Sequence, residues 1–138
     1  MRCASNWYRC RTSRAYLGRM DKYRSLFAWQ QAHQAAVLTL TKCDSCYHPR
    51  SRALFDQLRR ATISVEANIV EGYALSTPLQ FRRHLRIAMG SAAEAECLTR
   101  LAAEVRYLPP ETTDELQRLL ERSMAALHGL IRKIPVRT

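Results

Sequence analysis

A chain of 138 residues with 22 Lys+Arg against 12 Asp+Glu has room for one domain, large enough to bury roughly two-thirds of its unfolded surface. Its hydrophobic content of 47% is that of an ordinary globular protein, and no apolar run approaches the roughly 20 residues that span a bilayer, which excludes a helical membrane protein. The net charge of +10 favours polyanionic partners without naming one. The odd count of five cysteines, with no secretory apolar segment, predicts a reduced, cytoplasmic setting rather than a disulfide framework.

Residues 1–22 form a basic extension in which Arg2, Arg9, Arg11, Arg14, Arg19 and Lys22 face a single acid, Asp21. A nucleic-acid-touching arm, an organelle transit peptide and coding sequence ahead of a start at Met20 all fit this composition. Helical spacing begins only after Met20, which favours the third reading, or plain disorder. No function is assigned to the segment.

A helical domain is expected over residues 23–134, followed by a tail at 135–138. The first helix, Tyr23 to Lys42, repeats apolar residues at Leu26, Trp29, Ala36 with Val37, and Leu40; Pro49 breaks the chain before the next. The second, Ser51 to Tyr73, has a seam in alternating four- and three-residue steps: Leu54, Leu58, Ala61, Val65, Asn68 and Gly72. Ile63 and Val70 lie off that seam and are candidates for contact with another subunit. The third helix starts at a capping sequence, Thr77-Pro-Leu-Gln80. Its expected seam is Ile87, Ser91, Glu94, Leu98, Leu101 and Val105, with a second row of Phe81, Leu85, Ala88, Ala92 and Ala95. The Pro109-Pro110 pair ends it, and Thr112 with Glu115 offers a capping box for the fourth helix, whose stripe runs from Leu116 through Leu119, Leu120 and Leu127 to Ile134. Short connections favour an all-α, antiparallel up-down-up-down four-helix bundle.

Two phrases put polar groups into those seams. Asn68, Glu71 and Gly72 close the second helix, while Gly90, Ser91 and Glu94 centre the third. A buried amide without a partner costs roughly 1–3 kcal/mol, so Asn68, Ser91 and Glu94 are expected to satisfy one another between the two helices and fix their register. A desolvated Glu94 acting as general base is the catalytic alternative. No nucleophile with a paired base and no di-iron carboxylate pattern accompanies it, so no enzyme activity and no cofactor are expected. Cys43-x-x-Cys46 with His48 lacks a second ligand pair at zinc spacing. Arg82, Arg83 and Arg86, extended by Arg59 and Arg60, are the groups expected to meet phosphate of RNA or DNA; a solvated or salt-bridged face is the alternative.

The Gln57–Gly72 phrase, the Ile87–Glu94 phrase, and Leu26 with Trp29 together resemble the S23-type four-helix proteins, also called 23S ribosomal-RNA intervening-sequence proteins, over Tyr23 to Ile134. The resemblance implies a left-handed antiparallel bundle assembling into a homopentameric ring, with Asn68, Glu71, Gly72, Gly90, Ser91 and Glu94 as architectural residues and no catalytic ones. Accessory proteins of diversity-generating retroelements are similar in fold, which implies nucleic acid or a reverse transcriptase as further partners. The family's usual Phe-Pro-x-x-Glu before the second helix appears here as His48-Pro-Arg-Ser-Arg52, without the acid, and the basic extension is atypical.

Overall fold

The computed structural model describes residues 21–75 and 77–136. Residues 1–20 of the extension expected at 1–22, and the last two residues of the tail, therefore lie outside the described residues. A 3-10 turn, Asp21–Ser25, leads into α1, Phe27–Ser45; a second 3-10 turn, Pro49–Ser51, leads into α2, Arg52–Ala74; then follow α3, Pro78–Glu104, and α4, Pro110–Lys133. Among the described residues there is no strand. Each helix packs beside its neighbour in sequence, and α4 returns to pack on α1.

Local chemistry sets the helix ends. Thr77 sits in extended conformation, and its hydroxyl accepts the Gln80 N–H at 3.3 Å, with Pro78 opening α3 as expected. The other end of α3 departs from expectation. The helix stops at Glu104, ahead of the prolines, because Arg106 turns left-handed at φ 59°. Tyr107 N–H then reaches back to Ala102 C=O and Arg106 N–H to Ala103 C=O, closing a Schellman motif in which arginine stands where glycine is usual. Leu108, buried, anchors the returning chain. Thr112 is not a cap: α4 begins at Pro110, with Thr112 already inside its first turn and buried.

The core consists of two adjoining clusters. One gathers Phe55, Leu58, Leu108, Leu116 and Leu120; the other gathers Val65, Ile69, Leu85 and Leu127. Each such side chain removed from water contributes about 1.5–3 kcal/mol. The α2 seam buries Leu58, Ala61, Val65 and Gly72 as expected and is widened on one side by Phe55, Thr62 and Ile69, while its other members Leu54 and Asn68 are only half-buried. In α1 and α3 the inner row is the small one. Ala28, Ala32, Ala35 and Ala36 point inward from α1, leaving Val37 and Leu40 exposed; Leu85, Ala88, Ala92, Ala95, Thr99 and Ala102 point inward from α3. The expected α3 seam residues Ile87, Leu101 and Val105 are 43–47% exposed. An alanine row lets helices approach closely, and at native packing density that arrangement displaces the larger residues outward.

Cross-helix polar contacts tie the elements together. Ser123 Oγ, fully buried on α4, donates to the Ala28 carbonyl of α1 at 2.9 Å. Between α1 and α2, His33 Nδ1 lies 2.8 Å from Glu66 Oε2, and Asp44 Oδ1 lies 2.8 Å from Arg59 Nη2.

Candidate nucleic-acid interface and polar seam

The groove between α2 and α3 holds a ladder of half-buried polar groups. Ser91 Oγ meets Ser64 Oγ at 2.9 Å; Asn68 Nδ2 donates to the Ser64 carbonyl at 2.9 Å and to its hydroxyl at 3.1 Å; Asn68 Oδ1 lies 3.1 Å from His84 Nδ1. With Asn68 oxygen as acceptor, His84 carries its proton on Nδ1. Gly72 is buried beneath this end of the ladder, and a Cβ built on it would stand 2.6 Å from His84 Cβ. Glycine is required here by close approach of two helices, not by backbone conformation.

The ladder corrects the expected network at three points. Glu94 is exposed and accepts from Gln57 Nε2, far down α2 from Asn68. Glu71 is exposed, its carboxylate 4.0 Å from His84 Nδ1. Gly90 is also exposed, with open space where a Cβ would be. The physical reason is the rotation of α3: once its alanine row points inward, the row containing Gly90 and Glu94 turns toward solvent. The desolvated carboxylate that a general-base reading requires is absent at Glu94. Ser64 and His84 are the members that sequence reasoning missed. Ser64 stands four residues before Asn68, a spacing at which side chains meet on one helix face; His84 becomes visible only once the α2–α3 register is known.

The five arginines separate into three situations. Arg59, only 21% exposed, is held between Asp44 at 2.8 Å and Asp56 at 3.2 Å, so its charge is already matched. Arg60 is exposed and donates to Gln57 Oε1 at 3.1 Å. Arg82, Arg83 and Arg86 line a cleft on the first turns of α3 with Leu79 and Ile87, and none of them forms an ion pair among the described residues. Arg82 is half-buried and its Nε is sealed without a hydrogen-bond partner.

A second concavity, about 760 Å³, opens between α1 and α2. Ile63 and Val70, the expected subunit-contact candidates, line it together with Trp29, His33, Glu66 and Glu71. Trp29 stacks on His33 at 4.8 Å between centroids and meets the edge of Tyr23 at 5.1 Å.

The three described cysteines, Cys43, Cys46 and Cys97, do not assemble into a site. Burial pushes the Cys43 thiol up to about 11, Cys46 is half-buried and Cys97 exposed. His48 Nδ1 accepts the Arg50 N–H at 3.3 Å. Among the described residues no three of His, Cys, Asp and Glu stand close enough to hold a metal ion, and no helix is long and apolar enough to cross a membrane.

Among the described residues, four helices without a strand, closed around small inner rows, define an all-α four-helix protein. No curated protein matches the chain. The family model described as 23S rRNA-intervening sequence protein matches residues 24–129, nearly the whole helical domain, and the chain belongs to that family.

Proposed function

We propose that this protein is a non-enzymatic, homo-oligomeric bundle that binds RNA or DNA through phosphate contacts, without sequence preference. The observation that carries the reading is the state of Arg82, Arg83 and Arg86: three guanidinium groups on neighbouring turns of one helix, none matched by a carboxylate among the described residues. A fold that pairs Arg59 twice has acids to spend on arginines and leaves these three open. Guanidinium forks suit phosphate oxygens, and the chain's net charge of +10 adds long-range attraction. The family description, which names a ribosomal-RNA intervening sequence, supports a setting among nucleic acids. The finer architecture belongs to the same proposal: an antiparallel up-down-up-down, left-handed bundle, assembled as a ring that the family resemblance makes a pentamer, working in the cytoplasm. Residue pairs 33 with 66 and 44 with 59, and then 57 with 94, 64 with 91 and 68 with 84, support opposite running of successive helices.

Fluorescence anisotropy with single-stranded RNA and DNA of mixed and homopolymer sequence tests this. Affinity is expected to fall steeply from roughly 50 to 200 mM salt and to vary little with sequence. Substituting all three arginines by glutamine is expected to flatten the log–log salt slope by about 2, from roughly 0.7 per single-strand phosphate contact. Binding that ignores salt, or a triple variant that binds like the parent, refutes the reading.

A further inference from the structure

The two concavities described above are opposite in character. The α1–α2 groove is walled by Trp29, Ile63 and Val70 and carries two carboxylates, Glu66 and Glu71. Arg24, which also lines it, is 3.8 Å from Asp21. Among the described residues the cationic partners of those carboxylates are histidines, His33 on Glu66 and His84 on Glu71, so neither meets a permanent positive charge there. The α3 ridge is the counterpart: Arg82, Arg83 and Arg86 around two exposed aliphatic residues, Leu79 at 70% and Ile87 at 43% exposure. Among the described residues neither surface finds a complement, and each supplies what the other lacks.

We propose that the α3 ridge of one copy seats in the α1–α2 groove of the next, so that self-association and polyanion binding draw on the same arginines. Leu79 and Ile87 cover the aliphatic wall at Ile63 and Val70, while Arg83 and Arg86 reach Glu66 and Glu71. The contact is heterologous, a ridge on one copy meeting a groove on another, and such a contact repeats around a closed ring or along a filament. The inference rests on the polyanion reading for its second half: a polynucleotide in excess competes with the groove for the ridge and loosens the assembly. The charge pairs sit at the rim of an apolar contact, where they set partner choice and salt dependence.

Sedimentation velocity on the full chain provides the test, first without any ligand. Glu66→Gln with Glu71→Gln is expected to weaken self-association on the order of tenfold, and Arg83→Glu with Arg86→Glu to abolish it. Because charge reversal alone risks misfolding, a fourfold variant combining Arg83→Glu and Arg86→Glu with Glu66→Arg and Glu71→Arg restores complementarity and is expected to regain assembly. Circular dichroism accompanies each variant. A groove variant that assembles like the parent, or a folded fourfold variant that remains dispersed, overturns the docking. A 20-residue oligouridylate is then added to the parent protein. Falling oligomer mass as the probe saturates supports the competition; a probe that binds and leaves the oligomer intact overturns it. A probe that does not bind at all sinks the polyanion reading and the shared use of the arginines with it, while the ligand-free arm still decides the docking.

Discussion

Gly72 and Gly90 belong to the two family phrases, yet the same substitution at each should move stability in opposite directions. At Gly72 a new Cβ would stand 2.6 Å from His84 Cβ and 3.2 Å from Phe81 Cδ2. Neither helix can relieve the first contact by rotating a side chain, since both atoms are fixed to backbone. Ordinary contact begins near 3.4 Å, so α2 and α3 must part locally by about 0.8 Å. Overpacking of this kind costs about 1–3 kcal/mol. The shift also stretches the 3.1 Å contact between Asn68 and His84, for a further loss of about 0.5–1.5 kcal/mol. Alanine's better helix propensity returns only about 0.8–1 kcal/mol. Gly72→Ala is therefore expected to destabilise by about 1–3 kcal/mol. At Gly90 nothing lies within 4 Å of the added methyl group, so the propensity term stands alone and Gly90→Ala is expected to stabilise by about 0.5–1 kcal/mol. Urea unfolding followed by circular dichroism, at one fixed low protein concentration, measures both. A Gly72→Ala protein as stable as the parent would refute the close approach of α2 and α3 on which the whole ladder depends.

Asn68→Leu removes the centre of that ladder and leaves His84 without its acceptor; a loss of about 1–3 kcal/mol with unchanged helical ellipticity is expected, and altered oligomer size by light scattering would report a shifted register. Ser123→Ala deletes the single hydroxyl that links α4 to the Ala28 carbonyl of α1, with an expected cost of about 0.5–1.5 kcal/mol by the same unfolding assay. Because burial raises the Cys43 thiol to about 11, iodoacetamide at pH 8 is expected to modify Cys97 and spare Cys43, as read by peptide mass mapping. The same shift has a sign in stability. The folded state disfavours the thiolate, so the Cys43 contribution is complete below the unfolded value near 9 and is lost as pH rises through about 11; Cys43→Ser should reduce that alkaline decline.

Some of this molecule was legible from its residues because the deciding chemistry is local. Thr77-Pro78 announces the start of α3, and the spacing of Leu116, Leu119, Leu120 and Leu127 places α4 correctly. Arg106 was not legible as a helix stop, since a non-glycine residue at positive φ is chosen by tertiary context. The orientation of α1 and α3 failed for a different reason. Hydrophobic periodicity ranks residues by apolarity, whereas packing ranks them by fit, and both helices carry two apolar rows. In α3 the clue was present: the row containing Ile87 and Leu101 is interrupted by Glu94, while the row from Leu85 to Ala102 is free of charge. A charge in the middle of a seam outweighs two large aliphatics at its ends, because an unpaired carboxylate costs more to bury than a leucine costs to expose.

The consequence of that rotation reaches beyond the single chain. Exposed aliphatics scattered one by one need no explanation, but Ile87, Leu101 and Val105 share one outer face of α3 with a mid-helix glycine that the bundle itself does not use. Gly72 shows what a glycine is for when a neighbouring helix lies within its own fold: the methyl group has no room. Gly90 has room, and it stands one turn beyond the arginine ridge, on the same helix as Arg83 and Arg86. If a second copy covers this face, Gly90→Ala should stabilise the dispersed chain and weaken the assembled one, a reversal that appears only when unfolding and self-association are measured on the same variant. Stabilisation of both states would leave the outer face of α3 facing water and confine any contact between copies to the ridge itself.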